Sequence, residues 1–212
     1  MKIEYLGHSC FKITAKDGTS VLTDPYTRVG YELPQNISAD IVTVSHSHFD
    51  HNYIRAVVGK PKMITTTDRQ SLNGIHIEGI SSWHDERGGA LRGANILFKM
   101  DIDGVCICHL GDLGEPCSPS IIKAIGKVDI LLIPVGGTYT IDAITAKRFV
   151  DEIAPKMVIP MHYRPNDGTL DITDAKQFLS LFDRVEYVGD KPLYITALTE
   201  EKRKIVFMER KK

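Results

Sequence analysis

The chain begins with three short runs in which β-branched and aromatic residues alternate with polar ones: Lys2 to Leu6, Cys10 to Thr14 and Val21 to Thr23. Gly7-His8-Ser9 and Asp17-Gly18-Thr19 separate them, so the pattern predicts a β-meander. A fourth apolar run, Ile41 to Val44, predicts a strand ending at Ser45, and Asp50 to Val58 is expected as a short helix closed by Gly59 and Pro61. Met63 to Thr66, Ile75 to Ile77 and Ile80 read as short strands. Asn95 to Met100 pairs naturally with Val105 to His109 across Asp103-Gly104, and that hairpin delivers the chain to Gly111-Asp112.

Strand and helix patterns alternate from there on. Ile130 to Val135 predicts a buried strand, Ile144 to Ile153 a helix ending ahead of Pro155, and Met157 to Met161 a strand. Ala175 to Phe182 predicts a helix and Val185 to Val188 a strand. The expected fold class is α/β: a four-layer αβ/βα sandwich of two mixed β-sheets with outer helices. No linker or repeat interrupts residues 1–212, so one domain is expected, with pseudo-halves of roughly 1–103 and 104–212.

Composition removes several function classes. With 42% hydrophobic and 25% charged residues, the chain is ordinary globular protein and not a disordered one. Its apolar stretches, such as Ile130 to Ile133, fall far short of the roughly 18 residues of a membrane-spanning helix. A net charge of −1 argues against nucleic acid as a partner, because phosphate neutralisation needs a basic surplus. The basic clusters Lys202-Arg203-Lys204 and Arg210-Lys211-Lys212 read as a solvated chain end. Four cysteines, Cys10, Cys106, Cys108 and Cys117, are too few and too irregular for a disulfide scaffold, and Met1 to His8 enters strand sequence with no apolar signal core. A reducing cytoplasm is the expected location, and a homo-oligomer is compatible with the sequence.

His46-Ser47-His48-Phe49-Asp50-His51 carries the chemistry. Four ligand-competent side chains fall within six positions directly after an apolar strand. Residues two apart in an extended loop point to one side, and Asp50 and His51 reach a second point nearby, which suits two metals side by side. Imidazoles and carboxylates favour Zn(II), with Mn(II) as an alternative, and no cysteine competes at these positions.

This motif resembles the signature of the metallo-β-lactamase superfamily, and the resemblance extends along most of the chain. It implies that His46, His48 and a later histidine hold one metal, and that Asp50, His51 and a final histidine hold the other. Asp24 in Thr23-Asp24-Pro25 matches an early aspartate behind the ligands, Asp112 in Gly111-Asp112 the bridging aspartate, and His162 in Pro160-Met161-His162 the final ligand. His84 in Ser82-Trp83-His84-Asp85 is preferred over His109 as the third histidine, because His109 lies only three residues before Asp112. Gly7-His8-Ser9, Ser82-Trp83-His84-Asp85, Arg92-Gly93-Ala94-Asn95 and Pro134-Val135-Gly136-Gly137 resemble the branch that includes ascorbate-6-phosphate lactonase and its small metal-dependent hydrolases.

The resemblance implies a hydroxide held between two divalent ions that cleaves an ester, lactone or phosphodiester bond of a small molecule, with Asp50 and Asp112 at the reacting centre. His8 and His109 are further catalytic candidates, to donate to substrate or orient ligands, each weighed against a structural histidine. Gly136-Gly137-Thr138-Tyr139 could cradle an anion, and Arg164 could meet a phosphate or carboxylate; a plain turn and a surface arginine are the bland alternatives. Trp83, Cys106, Cys108 and Cys117 are expected as packing residues. A mono-iron oxygenase acting on a persulfide or thiol and a nuclease are the rival functions.

Overall fold

The computed structural model describes residues 1–196, 198 and 203–210. The meander forms as three antiparallel strands, β1 (Lys2–Gly7), β2 (Cys10–Thr14) and β3 (Ser20–Thr23). Alternation in β1 buries Ile3 and Tyr5 and leaves Lys2, Glu4 and Leu6 half-buried. Next come β4 (Ile37–Ser38), β5 (Ile41–Thr43), β6 (Val57–Val58) and β7 (Lys62–Ile64). β5 and β7 extend the first sheet in parallel, while β4 and β6 form a separate parallel pair.

The second sheet starts with β8 (Gln70–Leu72), β9 (Ile75–Trp83), β10 (Ala94–Ile102) and β11 (Val105–His109), all antiparallel neighbours. It then turns parallel through β12 (Ile130–Pro134) and β13 (Met157–Met161). β14 (Glu186–Gly189) leads to β15 (Leu193–Tyr194), which returns to the first sheet beside β1, and β16 (Lys204–Met208) lies between β13 and β14. The chain passes from the first sheet to the second between β7 and β8.

One continuous core fills the space between the sheets, with Ile3, Phe11, Ile13 and Val21 meeting Leu97, Phe98, Met100 and Leu132. Phe11 is completely buried, and truncating it to alanine would cost about 3–5 kcal/mol on the usual scale for such cavities. Helices α1 (Pro119–Ile125), α2 (Ala143–Ile153) and α3 (Lys176–Leu179) pack on one another and on the second sheet. A second apolar cluster covers the outside of the first sheet, where Tyr26, Val29, Leu33 and Ile37 from a long loop close over Leu22, Val42 and Val44.

Several elements differ from the sequence pattern for identifiable reasons. Asp50 to Val58 is not a helix: His51 N–H closes a turn on His48 C=O, a single 3₁₀ turn spans Ile54–Ala56, and Val57 and Val58 pair with Ile37 and Ser38. β-Branched valines with a strand to pair with favour that outcome. The Ala175 to Phe182 helix shrinks to α3, because Ala175 caps nothing and the chain after Leu179 tightens into i→i+3 bonds. α2 starts one residue early, where Asp142 accepts the Thr145 N–H at 2.8 Å. α1 and β16 were not anticipated, although Ser118-Pro119 is an ordinary start signal, with Ser118 capping Ile121.

The basic chain end is only partly as expected. Lys202, Lys211 and Lys212 lie outside the described residues. Arg203 pairs with Asp151 at 3.2 Å. Arg210 is packed rather than solvated: its guanidinium sits 4.2 Å from the Tyr31 ring centre and pairs with Asp167. Cys108 belongs to the core, whereas Cys106 and Cys117 are half-buried.

Candidate metal centre

Five strands release the chain at the same end of the sandwich, and each release point carries a titratable side chain. His8 follows β1, Asp24 follows β3, His84 follows β9, Asp112 follows β11 and His162 follows β13. The 46–51 loop leaves the same end soon after β5. Three overlapping groups of donor atoms result, each with its atoms within 4.8 Å of one another: His46, His48 and His84; His46, His51 and Asp112; and His8, Asp50, His51 and His162.

Asp112 sits between these groups. Its Oδ2 lies 3.3 Å from His84 Nε2, 3.2 Å from His162 Nε2 and 3.8 Å from His46 Nε2, while its Oδ1 lies 3.1 Å from His51 Nε2. Among the described residues, His46 Nε2, both His162 ring nitrogens and Asp112 Oδ1 are buried and make no hydrogen bond. Buried donor atoms left without partners at such distances fit a cation, since a metal at about 2.0–2.2 Å from each ligand holds those ligands roughly 3–3.5 Å apart.

Other polar atoms orient the rings. His51 Nδ1 meets Asp24 Oδ2 at 2.8 Å. Asp24 also accepts the Ser45 backbone N–H at 2.8 Å and the Ser45 hydroxyl at 2.6 Å, and Ser45 Oγ in turn lies 2.9 Å from His46 Nδ1. His84 Nδ1 donates to the Tyr139 carbonyl at 3.1 Å. Each arrangement leaves Nε2 facing the cluster, as a ligating histidine requires.

Burial and charge set the protonation of the cluster. Burial pulls His46 down to about 3 and His8 down to about 4, so both are neutral and ligand-competent near pH 7. Burial also lowers His48. The same burial would raise Asp112, but the neighbouring His162 and His51 outweigh it and hold the carboxyl well below its ordinary range. His51 goes the other way: burial lowers it, yet Asp112 and Asp24 together keep it well above an ordinary histidine.

Residues 2–162 match the family model of the beta-lactamase superfamily domain. The chain belongs to the metallo-β-lactamase superfamily. A crystal structure from Thermotoga maritima, assigned to the Zn-dependent hydrolases of the superfamily, is 37% identical, covers 99% of both chains and superposes with a TM-score of 0.83. A metal-dependent hydrolase of Carboxydothermus hydrogenoformans is 30% identical over 77% of this chain and 84% of its own length. Another from Thermococcus onnurineus is 26% identical over 91% of this chain and 97% of its own length. The protein is a metal-dependent hydrolase of this superfamily, and the expected αβ/βα sandwich is the superfamily fold.

Within the superfamily framework, the structure brings His46, His48, Asp50, His51, His84, Asp112 and His162 together, with His8 beside them. His84, and not His109, meets Asp112. His109 lies outside the three donor groups. Its Nε2 donates to Ser9 C=O at 2.8 Å and its Nδ1 accepts Gly111 N–H at 3.1 Å, so both nitrogens are committed to holding the β11 exit. At Gly136-Gly137 the Gly137, Tyr139 and Thr140 N–H groups bond inside their own turn rather than facing an anion. Gly136 is required there because a Cβ would stand 2.2 Å from the His162 carbonyl.

Arg164 is exposed and lines a cavity of about 420 Å³ with Tyr163 and Tyr187 rather than joining the donor groups. Trp83 is not a core residue but is 44% exposed, its ring against Gly89. Two contributors, Asn95 and Asp85, fall in segments that carry the resemblance, but the sequence assigned neither a role. Asn95 accepts the Asp112 N–H at 3.0 Å and donates to the Leu110 carbonyl at 3.0 Å, fixing the aspartate's loop. Asp85 accepts four backbone N–H groups, from Arg87, Gly89, Leu91 and Arg92, and so winds the 85–93 loop about one carboxylate. Both act through backbone partners distant in sequence or in an irregular loop, which periodicity does not register.

Proposed function

We propose that the protein is a dinuclear hydrolase that cleaves an ester, lactone or phosphodiester bond of a small molecule. The observation that carries this reading is the position of Asp112, whose two oxygens face both halves of the donor cluster. His46, His48 and His84 would hold one metal, and Asp50, His51 and His162 the other, with Asp112 between them. Zn(II) suits these nitrogen and oxygen donors, and Mn(II) is the alternative. Two such ions lower the pKa of water toward neutrality and offset negative charge on the attacked group.

The chain's own residues supply orientation and access. Asp24, Ser45 and the Tyr139 carbonyl hold three imidazoles with Nε2 inward. Asp50, half-buried beside His8, is placed to accept a proton as the bond is cleaved. Phe49, Leu91 and Tyr139 are exposed on the loops that carry or orient the ligands, and Trp83 at the end of β9 is exposed beside them, which favours a substrate with an apolar portion next to its scissile bond. Among the described residues no helix is long and apolar enough to cross a membrane. Free thiols at all four cysteines agree with a reducing cytoplasm.

Elemental analysis of protein purified without added metal tests the reading, followed by a panel of lactones, carboxylic esters and phosphodiesters. Two zinc or manganese ions per chain, with turnover of one panel class, is the expected result. A single iron with no hydrolysis would overturn it and favour an oxygenase.

A further inference from the structure

We propose that His8 is an additional ligand of the metal held by Asp50, His51 and His162, a step that rests on the dinuclear reading. His8 Nε2 lies 3.2 Å from His51 Nε2 and 3.3 Å from Asp50 Oδ2, the spacing of atoms that share one ion. Its ring centre is 4.2 Å from that of His162. A hydrogen-bonded core histidine would aim its nitrogen at one partner. Here His8 Nε2 faces two donor atoms at once, His51 Nε2 and the Asp50 carboxylate, which converge on the same point. Three donor atoms gathered about one point suit a shared cation once His51 has given up its Nε2 proton to the incoming metal.

The backbone is built around that placement. His8 and His162 both adopt left-handed φ, 54° and 50°, a region that costs non-glycine residues about 1–3 kcal/mol. Such strain persists only where several contacts enforce it. His162 N–H donates to the His8 carbonyl at 2.8 Å, Tyr5 OH donates to the same carbonyl at 2.9 Å, and His8 N–H donates to Tyr31 OH at 3.0 Å. Gly7 allows the turn, since a Cβ there would come within 2.7 Å of the Tyr31 ring. Two strained residues just past the ends of separate strands are thus locked to each other with their imidazoles side by side.

This makes the two metal positions unequal. One has His46, His48, His84 and Asp112; the other gains His8 beside Asp50, His51, His162 and Asp112. The position with more protein donors fills first and suits an ion that accepts five or six ligands.

The test uses the full chain, stripped with a chelator and titrated with cobalt(II), as wild type and as His8→Asn, a residue that tolerates left-handed φ. The expected result is that one cobalt equivalent binds at least about 10–100-fold more weakly in the variant, the scale reached when even an indirect partner of a metal is lost. Its visible absorption rises as the coordination number falls. Identical spectra and affinities would overturn the proposal, as would weaker binding with an unchanged spectrum, which marks His8 as a hydrogen-bonding partner of Asp50. Should the variant fail to fold, cadmium-loaded wild type with isotope-labelled histidine decides: cadmium–nitrogen coupling at His8 supports the ligand, and coupling at His51 and His162 without it overturns the ligand. Wild type that takes up no metal would sink the dinuclear reading together with this one, an outcome distinct from loss of His8 alone.

Discussion

The Nδ1 of His51 lies 2.8 Å from Oδ2 of Asp24, and neither side chain is exposed to solvent. That contact fixes which nitrogen of His51 is left to face Asp112, and through Ser45 the same carboxylate also steadies His46. One buried carboxylate therefore orients two of the imidazoles in the cluster.

Replacing it tests the arrangement. Asp24→Asn keeps the shape but loses the charge and an acceptor, so metal affinity is expected to fall about 10–100-fold. Competition with a chelating dye measures this. Unchanged affinity would show that Asp24 serves only the fold.

Metal binding is expected to release a proton from His51. Asp112 and Asp24 hold that imidazole above its ordinary value of 6.5, so the metal-free protein keeps it charged through neutral pH and a metal must displace the proton. A raised folded-state value stabilises the metal-free protein below pH 6.5, and that contribution is lost as pH rises through the folded value. Metal affinity should rise over the same window. Calorimetric titration in buffers of different ionisation enthalpy reads the proton directly, and enthalpies that do not vary with buffer would contradict it.

Asp112→Asn should remove metal and hydrolysis together, because the Asp112 carboxylate faces both halves of the donor cluster. Elemental analysis of the purified variant beside an activity assay checks this. Full turnover in the variant would defeat the dinuclear reading.

His109→Phe separates holding the scaffold from ligating the metal. The variant strands the buried Gly111 N–H and leaves the Ser9 carbonyl with the Thr23 hydroxyl as its remaining donor, at a cost of about 1–3 kcal/mol. Denaturant melts should show that loss while metal content stays at the wild-type value. Loss of metal from a folded variant would return His109 to the site.

Asp85→Ala is expected to loosen the 85–93 loop, since four N–H groups lose one common acceptor. Trypsin should then cut at Arg87 or Arg92 faster than in the wild type while the core persists. Equal cleavage rates would mean that the Trp83–Gly89 contact holds the loop unaided.

Some of this was written locally in the chain. The meander, the β10–β11 hairpin and α2 follow from alternation, the Asp103-Gly104 turn and the Asp142 cap, interactions between residues a few positions apart. The 46–51 motif was equally legible, because its donors are neighbours in sequence and its resemblance to a known superfamily ordered the distant ones. The helix expected at Asp50 to Val58 failed where local propensity met a partner: Ile37 and Ser38 offered Val57 and Val58 a ladder that an isolated segment lacks.

By itself the sequence determined which side chains are able to bind metal and the strands that carry them. Only the tertiary structure decided which of those groups meet. His84 and His109 are both buried histidines at strand ends in the second sheet, and only the direction in which each ring leaves its strand separates the one facing Asp112 from the one bonded to Ser9. His8 was one residue in a turn until a 2.8 Å backbone bond from His162 brought it beside Asp50. Such choices depend on contacts between residues from about 30 to more than 150 positions apart, and no local pattern encodes them.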